Sequence, residues 1–199
     1  MPLSRRVFLL FTCAYFFSEF YRAANSVLAR DLAIDLTLNA TQLGLLTSVL
    51  FAAFALAQFP LGSAFDRWQP QRVVASLMFV GAAGSLLVAF ANSFWLLALG
   101  RLLIGVGISG TLMGSLKAFS QWFPANRYAT MAGALLALGS SGSLMAATPL
   151  AWLNQQVGWR LVFAGSGVLM GLSALALLNG IGNAPPAQLK QSPAGTGSM

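Results

Sequence analysis

Six apolar runs, each close to the length of a bilayer crossing and separated by only a few polar residues, restrict this chain more than any other feature. They fall at about 7–28, 43–64, 73–91, 94–117, 128–152 and 159–180. An α-helix of about 20 apolar residues crosses a hydrocarbon core roughly 30 Å thick. Inside that core every backbone N–H and C=O has to be satisfied within the protein, so runs of this length are helical spans. With 57% hydrophobic residues, 8% charged residues and a mean hydropathy of +0.75, the 199-residue chain is read as a polytopic membrane protein and not as a soluble domain. The first run is too long for the apolar core of a cleaved signal and carries Glu19 and Arg22. It is read as the first span, entered from the basic head at Arg5 and Arg6.

The formal charge of +7 follows from where the basic residues sit. A cytoplasmic start puts Arg5, Arg6, Arg67, Arg72, Arg127 and Lys190 inside, with Lys117 near the same face, and leaves only Arg30 and Arg160 in outside loops. That asymmetry is the charge bias of membrane topology, so no nucleic-acid surface is inferred from it. Both termini are expected in the cytoplasm. The stretch 29–42 is expected to be the first outside loop, and short turns are expected at 92–93, 124–127 and 154–160. Residues 1–182 form one six-span domain on this reading. Residues 183–199, rich in Pro, Gly and Ser, are expected to be a disordered cytoplasmic tail or the start of a central linker.

Small residues recur four apart in the spans, as in Gly81 and Ser85, Gly110 and Gly114, Gly139 and Ser143, and Gly167 and Gly171. Helices in lipid associate by close packing, so these positions are expected at helix contacts. Charges in the spans are costly and mark cavities or partners. In the first span Tyr15, Glu19, Arg22 and Ser26 fall on one helical face, flanked by Ser18 and Asn25. Two readings stand for Glu19 and Arg22: an intrahelical ion pair, or a cavity face in which Arg22 meets an anion and Glu19 orients it or carries a proton. Arg101, seven residues into the fourth span, either snorkels to the outer interface or faces the same cavity.

The turn at 62–72, GSAFDRWQPQR, resembles the signature loop between the second and third helices of the major facilitator superfamily. Gly62 would admit a neighbouring helix, Asp66 would bond the start of a neighbouring helix or a nearby Arg, and Arg67 and Arg72 would hold the loop inside. Together the four would form a conformational latch. GRLLIGVGISG, with Arg101 four residues before Gly105, resembles the fourth-helix motif of the family, in which the Arg is associated with proton coupling or the cavity wall. WFPANRYATMAG and GWRLVFAGSGVL resemble the fourth-to-fifth loop and the start of the sixth helix. The fifth span carries Thr148 where exporters of the family have a glycine before Pro149, so no exporter assignment follows.

The resemblance implies an all-α membrane fold of six transmembrane helices in two inverted three-helix repeats, one half of the family's architecture. It also implies a secondary transporter, or half of one, in a bacterial inner membrane, working by alternating access with proton coupling or exchange. A second six-span half or a second copy would complete it. The alternative is a half-size membrane protein with an assembly or regulatory role. Two arginines and a single carboxylate within the spans favour a small organic anion as solute. An enzyme is disfavoured, because the chain has no His, no paired carboxylates at catalytic spacing and no nucleophile motif. With Cys13 the only cysteine, neither a metal site nor a cofactor is expected.

Overall fold

The computed structural model describes residues 3–181, and every regular element among them is helical. The order is α1 (Leu3–Asp35), α2 (Ala40–Arg67), α3 (Pro70–Ala89), α4 (Phe94–Ile108), α5 (Thr111–Trp122), α6 (Ala125–Gly139), α7 (Ser141–Met145) and α8 (Thr148–Gly180). The tail expected at 183–199 lies outside the described residues.

The apolar runs lie almost wholly in helices, and the turn expected at 92–93 is present between α3 and α4, but the other polar stretches are shorter than expected. The residues 29–35, expected in a loop, continue α1 to a length of 33 residues. That is roughly 50 Å of helix against a core of roughly 30 Å, so α1 overhangs the hydrocarbon at its ends. Helix α2 starts on a reciprocal cap: the Asn39 side chain accepts from the Gln42 N–H at 2.8 Å, and the Gln42 side chain accepts from the Asn39 N–H at 2.9 Å. Helix α2 then runs through Gly62, Asp66 and Arg67. The signature stretch is therefore mostly helix, and its turn is reduced to Trp68 and Gln69, with Pro70 beginning α3. Similarly, 124–127 is not an open turn, because α6 begins at Ala125 directly after Pro124. The expected turn at 154–160 is helical on both sides of one residue, Gly158, whose φ of +79° and ψ of 157° suit glycine alone.

That single residue matters because Ala125–Gly180 is a nearly unbroken apolar stretch of 56 residues. As one rod it would be roughly 84 Å long, far beyond one crossing. Its contacts show that it doubles back. Gly139 lies against Tyr15, Gly142 against the Phe16 backbone, and Asn154 bonds Asp31, so the chain runs outward along α1. Past Gly158, Arg160 meets Asp35, Ser166 meets Tyr21, Ser173 meets Cys13 and Gly180 approaches Leu10, so it runs back.

Helices α3 and α4 cross at glycines. A Cβ on Gly84 would lie 2.7 Å from Leu103 Cβ and 2.8 Å from the Gly100 carbonyl oxygen, and one on Gly100 would lie 2.6 Å from Val88 Cγ2. Gly105 packs on the Leu50 backbone of α2 in the same manner. Of the expected small-residue positions, Gly81, Gly110, Gly114, Gly139 and Gly167 sit at such contacts, whereas Gly171 would gain only ordinary contact. Gly62 is a correction, because nothing lies within 4 Å of a Cβ placed there. Leu61 and Phe65 turn into the bundle instead, which leaves Gly62 and Asp66 on the outer arc of α2.

Candidate functional site

The polar face of α1 meets α2 and the junction of α4 and α5 near the middle of α1. Arg22 Nη2 donates to Glu19 Oε1 at 2.7 Å and to Ser18 Oγ at 3.3 Å. Its guanidinium carbon lies 5.3 Å from the centre of the Phe54 ring, and its Nε is buried without a partner. The intrahelical pair thus forms, yet it leaves Arg22 with a free donor. The side chains of Arg22 and Glu19 stay 31% and 19% exposed, so the pair is not sealed in the core.

Arg22 borders two hollows. One, of about 310 Å³, lies between α1 and α2 and includes Asn25, Ser26 and Thr47. Asn25 Nδ2 donates to Thr47 Oγ1 at 2.7 Å, so both side chains are fixed. The other, of about 480 Å³, includes Ser18, Phe54, Gln58, Ser109 and Thr111. Here the fourth expected span is one 29-residue stretch, Phe94–Trp122, tightened locally at Ser109 and Gly110, which keep right-handed helical angles. The Ser109 N–H bonds Val106 O, three residues back, a tightened turn. The loosened carbonyls find side chains, with Gln58 Nε2 donating to Ser109 O at 3.1 Å and Thr111 Oγ1 donating to Ile108 O at 3.0 Å. Gln58, Thr47 and Ser109 were absent from the sequence reading of the site. Nothing in the sequence singles them out, because an isolated Gln, Thr or Ser in an apolar run does not show which neighbouring helix it faces.

The expected stripe on α1 divides. Glu19 and Arg22 meet, and Ser26 is exposed at the edge of the smaller hollow with its hydroxyl donating to Ala23 O at 2.9 Å. Tyr15 packs its ring into the notch left by Gly139 and keeps its hydroxyl within hydrogen-bond reach of Glu19 and Arg22.

Arg101 corrects both expectations held for it. It has no exposed surface, so it does not snorkel, and it borders neither hollow that Arg22 borders. Its guanidinium stacks on Phe163 of α8, 5.0 Å from the ring centre, and all three side-chain nitrogens lack a hydrogen-bond partner. The neighbouring polar groups are committed elsewhere: Ser85 Oγ donates to Phe163 O at 2.7 Å, and Tyr21 Oη lies 2.9 Å from Ser85 Oγ and 3.1 Å from Ser166 Oγ.

At the end of α2, Asp66 Oδ1 accepts from Lys117 Nζ of α5 at 2.7 Å. The expected partner was a helix start or an Arg, and the observed one is a Lys one helix away. Among the described residues no group of His, Cys, Asp and Glu could hold a metal ion.

Long apolar helices crossing at glycines, with a carboxylate–guanidinium pair among them, define a multi-pass integral membrane protein. The family model of the Major Facilitator Superfamily matches residues 7–197, and the chain belongs to that family. YybO of Bacillus subtilis (strain 168), an uncharacterized transporter, is 32% identical over 145 residues, which cover 72% of this chain and 33% of that protein. The hexuronate transporter of the same organism is 28% identical, covering 87% and 41%. GudP of Escherichia coli (strain K12), a probable galactarate/D-glucarate transporter, is 27% identical, covering 71% and 33%. A crystal structure of a bacterial homolog to the human lysosomal transporter Spinster, inward-facing and unoccupied, superposes with a TM-score of 0.80 at 22% identity, over 100% of this chain and 46% of that one. The chain therefore spans a third to two-fifths of the length of these curated relatives, and its fold is that of half of the solved transporter.

Proposed function

We propose that this chain supplies the first six-span half of a secondary transporter for a small organic anion, with its solute site on the Arg22 face of α1. The supporting observation is Arg22 itself, a cation between two hollows with one donor unpartnered after pairing with Glu19. A guanidinium in that setting offers a carboxylate two directed hydrogen bonds, which an ammonium cannot match. The hydroxyls and amides of Ser18, Asn25, Thr47 and Gln58 around it suit a hydroxylated acid. Relatives named for hexuronate and for galactarate and D-glucarate support the same solute class. Glu19 neutralises Arg22 when the solute is absent, and its protonation would free the arginine, which is how proton coupling would enter.

Both hollows are walled by α1, α2, α4 and α5 alone, so a second six-span half, or a second copy, supplies the opposite wall. Alternating access then rocks one half against the other about the site in a bacterial inner membrane. Solute uptake into proteoliposomes tests the proposal, using this chain with and without any six-span half encoded beside it. D-glucuronate and D-glucarate are the probes, and glucose is the neutral control. Uptake of an acid but not of glucose, lost in Arg22→Lys at equal protein level, is expected. Equal uptake by Arg22→Lys would overturn the site. Absence of transport in every combination would favour the assembly role.

A further inference from the structure

We propose that Asp35 and Arg160 form an outer clasp that is the inverted counterpart of the inner pair Asp66 and Lys117, and that the two pairs pin the first three-helix repeat to the second at both membrane faces. The correspondence lies in chain order. Asp66 stands at the turn between the second and third passes, and Lys117 stands near the end of the fourth pass, which opens the second repeat. Arg160 stands at the turn between the fifth and sixth passes, and Asp35 stands at the end of the first pass, which opens the first repeat. Each pair thus joins the turn of one repeat to the end of the other's opening helix. Exchanging the repeats exchanges the pairs, the face of the membrane and the sign of the charges.

The outer pair is embedded in a wider set of contacts. Asp35 Oδ2 also accepts from Trp159 Nε1 at 3.2 Å, and Arg160 Nη2 donates to Ala91 O, at the end of α3, at 3.0 Å. The Arg160 guanidinium stacks on Trp159 with its carbon 4.2 Å from the ring centre. One turn earlier on α1, Asp31 accepts from Asn154 Nδ2. Four passes are joined in this way, and the first, fifth and sixth of them line an outer hollow of about 620 Å³. Isolated exposed ion pairs contribute little, but a network of fixed donors on several helices is a different case.

The two partners do not weigh equally. Asp35 is the last residue of α1, where its charge opposes the carbonyl end of the helix dipole, and Arg160 neutralises both. Removing Arg160 leaves two negative ends facing each other. Removing Asp35 leaves Arg160 with the Ala91 carbonyl and the helix end. Loss of the arginine is therefore the more disruptive change.

Amide hydrogen exchange of the full chain in detergent micelles tests this without any solute, so its outcome is separate from that of the transport proposal. Arg160→Gln is expected to raise exchange at 30–38, 89–93 and 155–161 by roughly threefold or more, the scale of local opening, with 62–70 and 114–122 unchanged. Asp35→Asn should do the same to a smaller degree, and the double variant should not exceed Arg160→Gln. Lys117→Gln should leave the outer segments unchanged and raise exchange only at the inner ones, by less than Arg160→Gln does at the outer face, because Asp66 is the more exposed partner. Unchanged exchange in Arg160→Gln, additive effects in the double variant, or equal loosening of both faces by either substitution would each overturn the proposal.

Discussion

Lys117 Nζ stands 2.7 Å from Asp66 Oδ1, which ties the last turn of α2 to α5. The Asp66 side chain is 77% exposed, so solvent screens the pair. Asp66→Asn is accordingly expected to change unfolding stability by about 0.5 kcal/mol or less. Chemical unfolding in micelles measures this. A transport defect in the complete assembly with stability unchanged would then be a conformational effect, whereas unchanged transport would leave Asp66 with no latch role.

Arg101 bears a charge with no hydrogen-bond partner inside the bundle, and its stacking on Phe163 does not replace lost hydration. Replacing it by an unbranched apolar side chain of similar length removes the unpaired donors and keeps the volume filled. Arg101→Met is expected to raise stability by about 1 kcal/mol or more, and Arg101→Ala to lower it by leaving a cavity. Apparent unfolding temperatures of the two variants should bracket that of the parent chain. A fall in both would mean that the guanidinium has satisfied partners.

Gly84 and Gly62 test the packing of the glycines. A methyl on Gly84 meets backbone and Cβ atoms of α4 below 3.0 Å, so the two helices have to separate. Gly84→Ala is expected to cost about 1–3 kcal/mol. Gly62→Ala meets nothing and should be neutral or stabilising by up to about 1 kcal/mol through helix propensity.

Orientation is tested by reporter fusions. A fusion at Gln71, beside the turn of α2 and α3, should score cytoplasmic, and one at Gln156, beside Gly158, should score external. The reverse result at either position would invert the assignment of inside and outside on which the inner and outer pairs are named.

Long apolar runs made the helices legible because hydrocarbon leaves the backbone no other solution. The ends of helices were less legible. Arg30, Asp31 and Asp35 look like loop residues, but a helix that overhangs the bilayer also needs polar residues at its ends, and composition does not separate the two. The Glu19–Arg22 pair could be read because i and i+3 neighbours follow from helix geometry alone. Partners far apart in sequence could not be read: Asp66 with Lys117, Asp35 with Arg160 and Arg101 with Phe163 depend on which helix lies beside which.

Gly158 has a consequence for biosynthesis. The chain reverses there with almost no residues outside the two flanking helices, so the two passes form a hairpin with no slack at its tip. Insertion of that hairpin is expected to depend on the backbone angles that Gly158 supplies. A substitution at this position would then act first on the yield of inserted protein, before any property of the mature molecule could be measured.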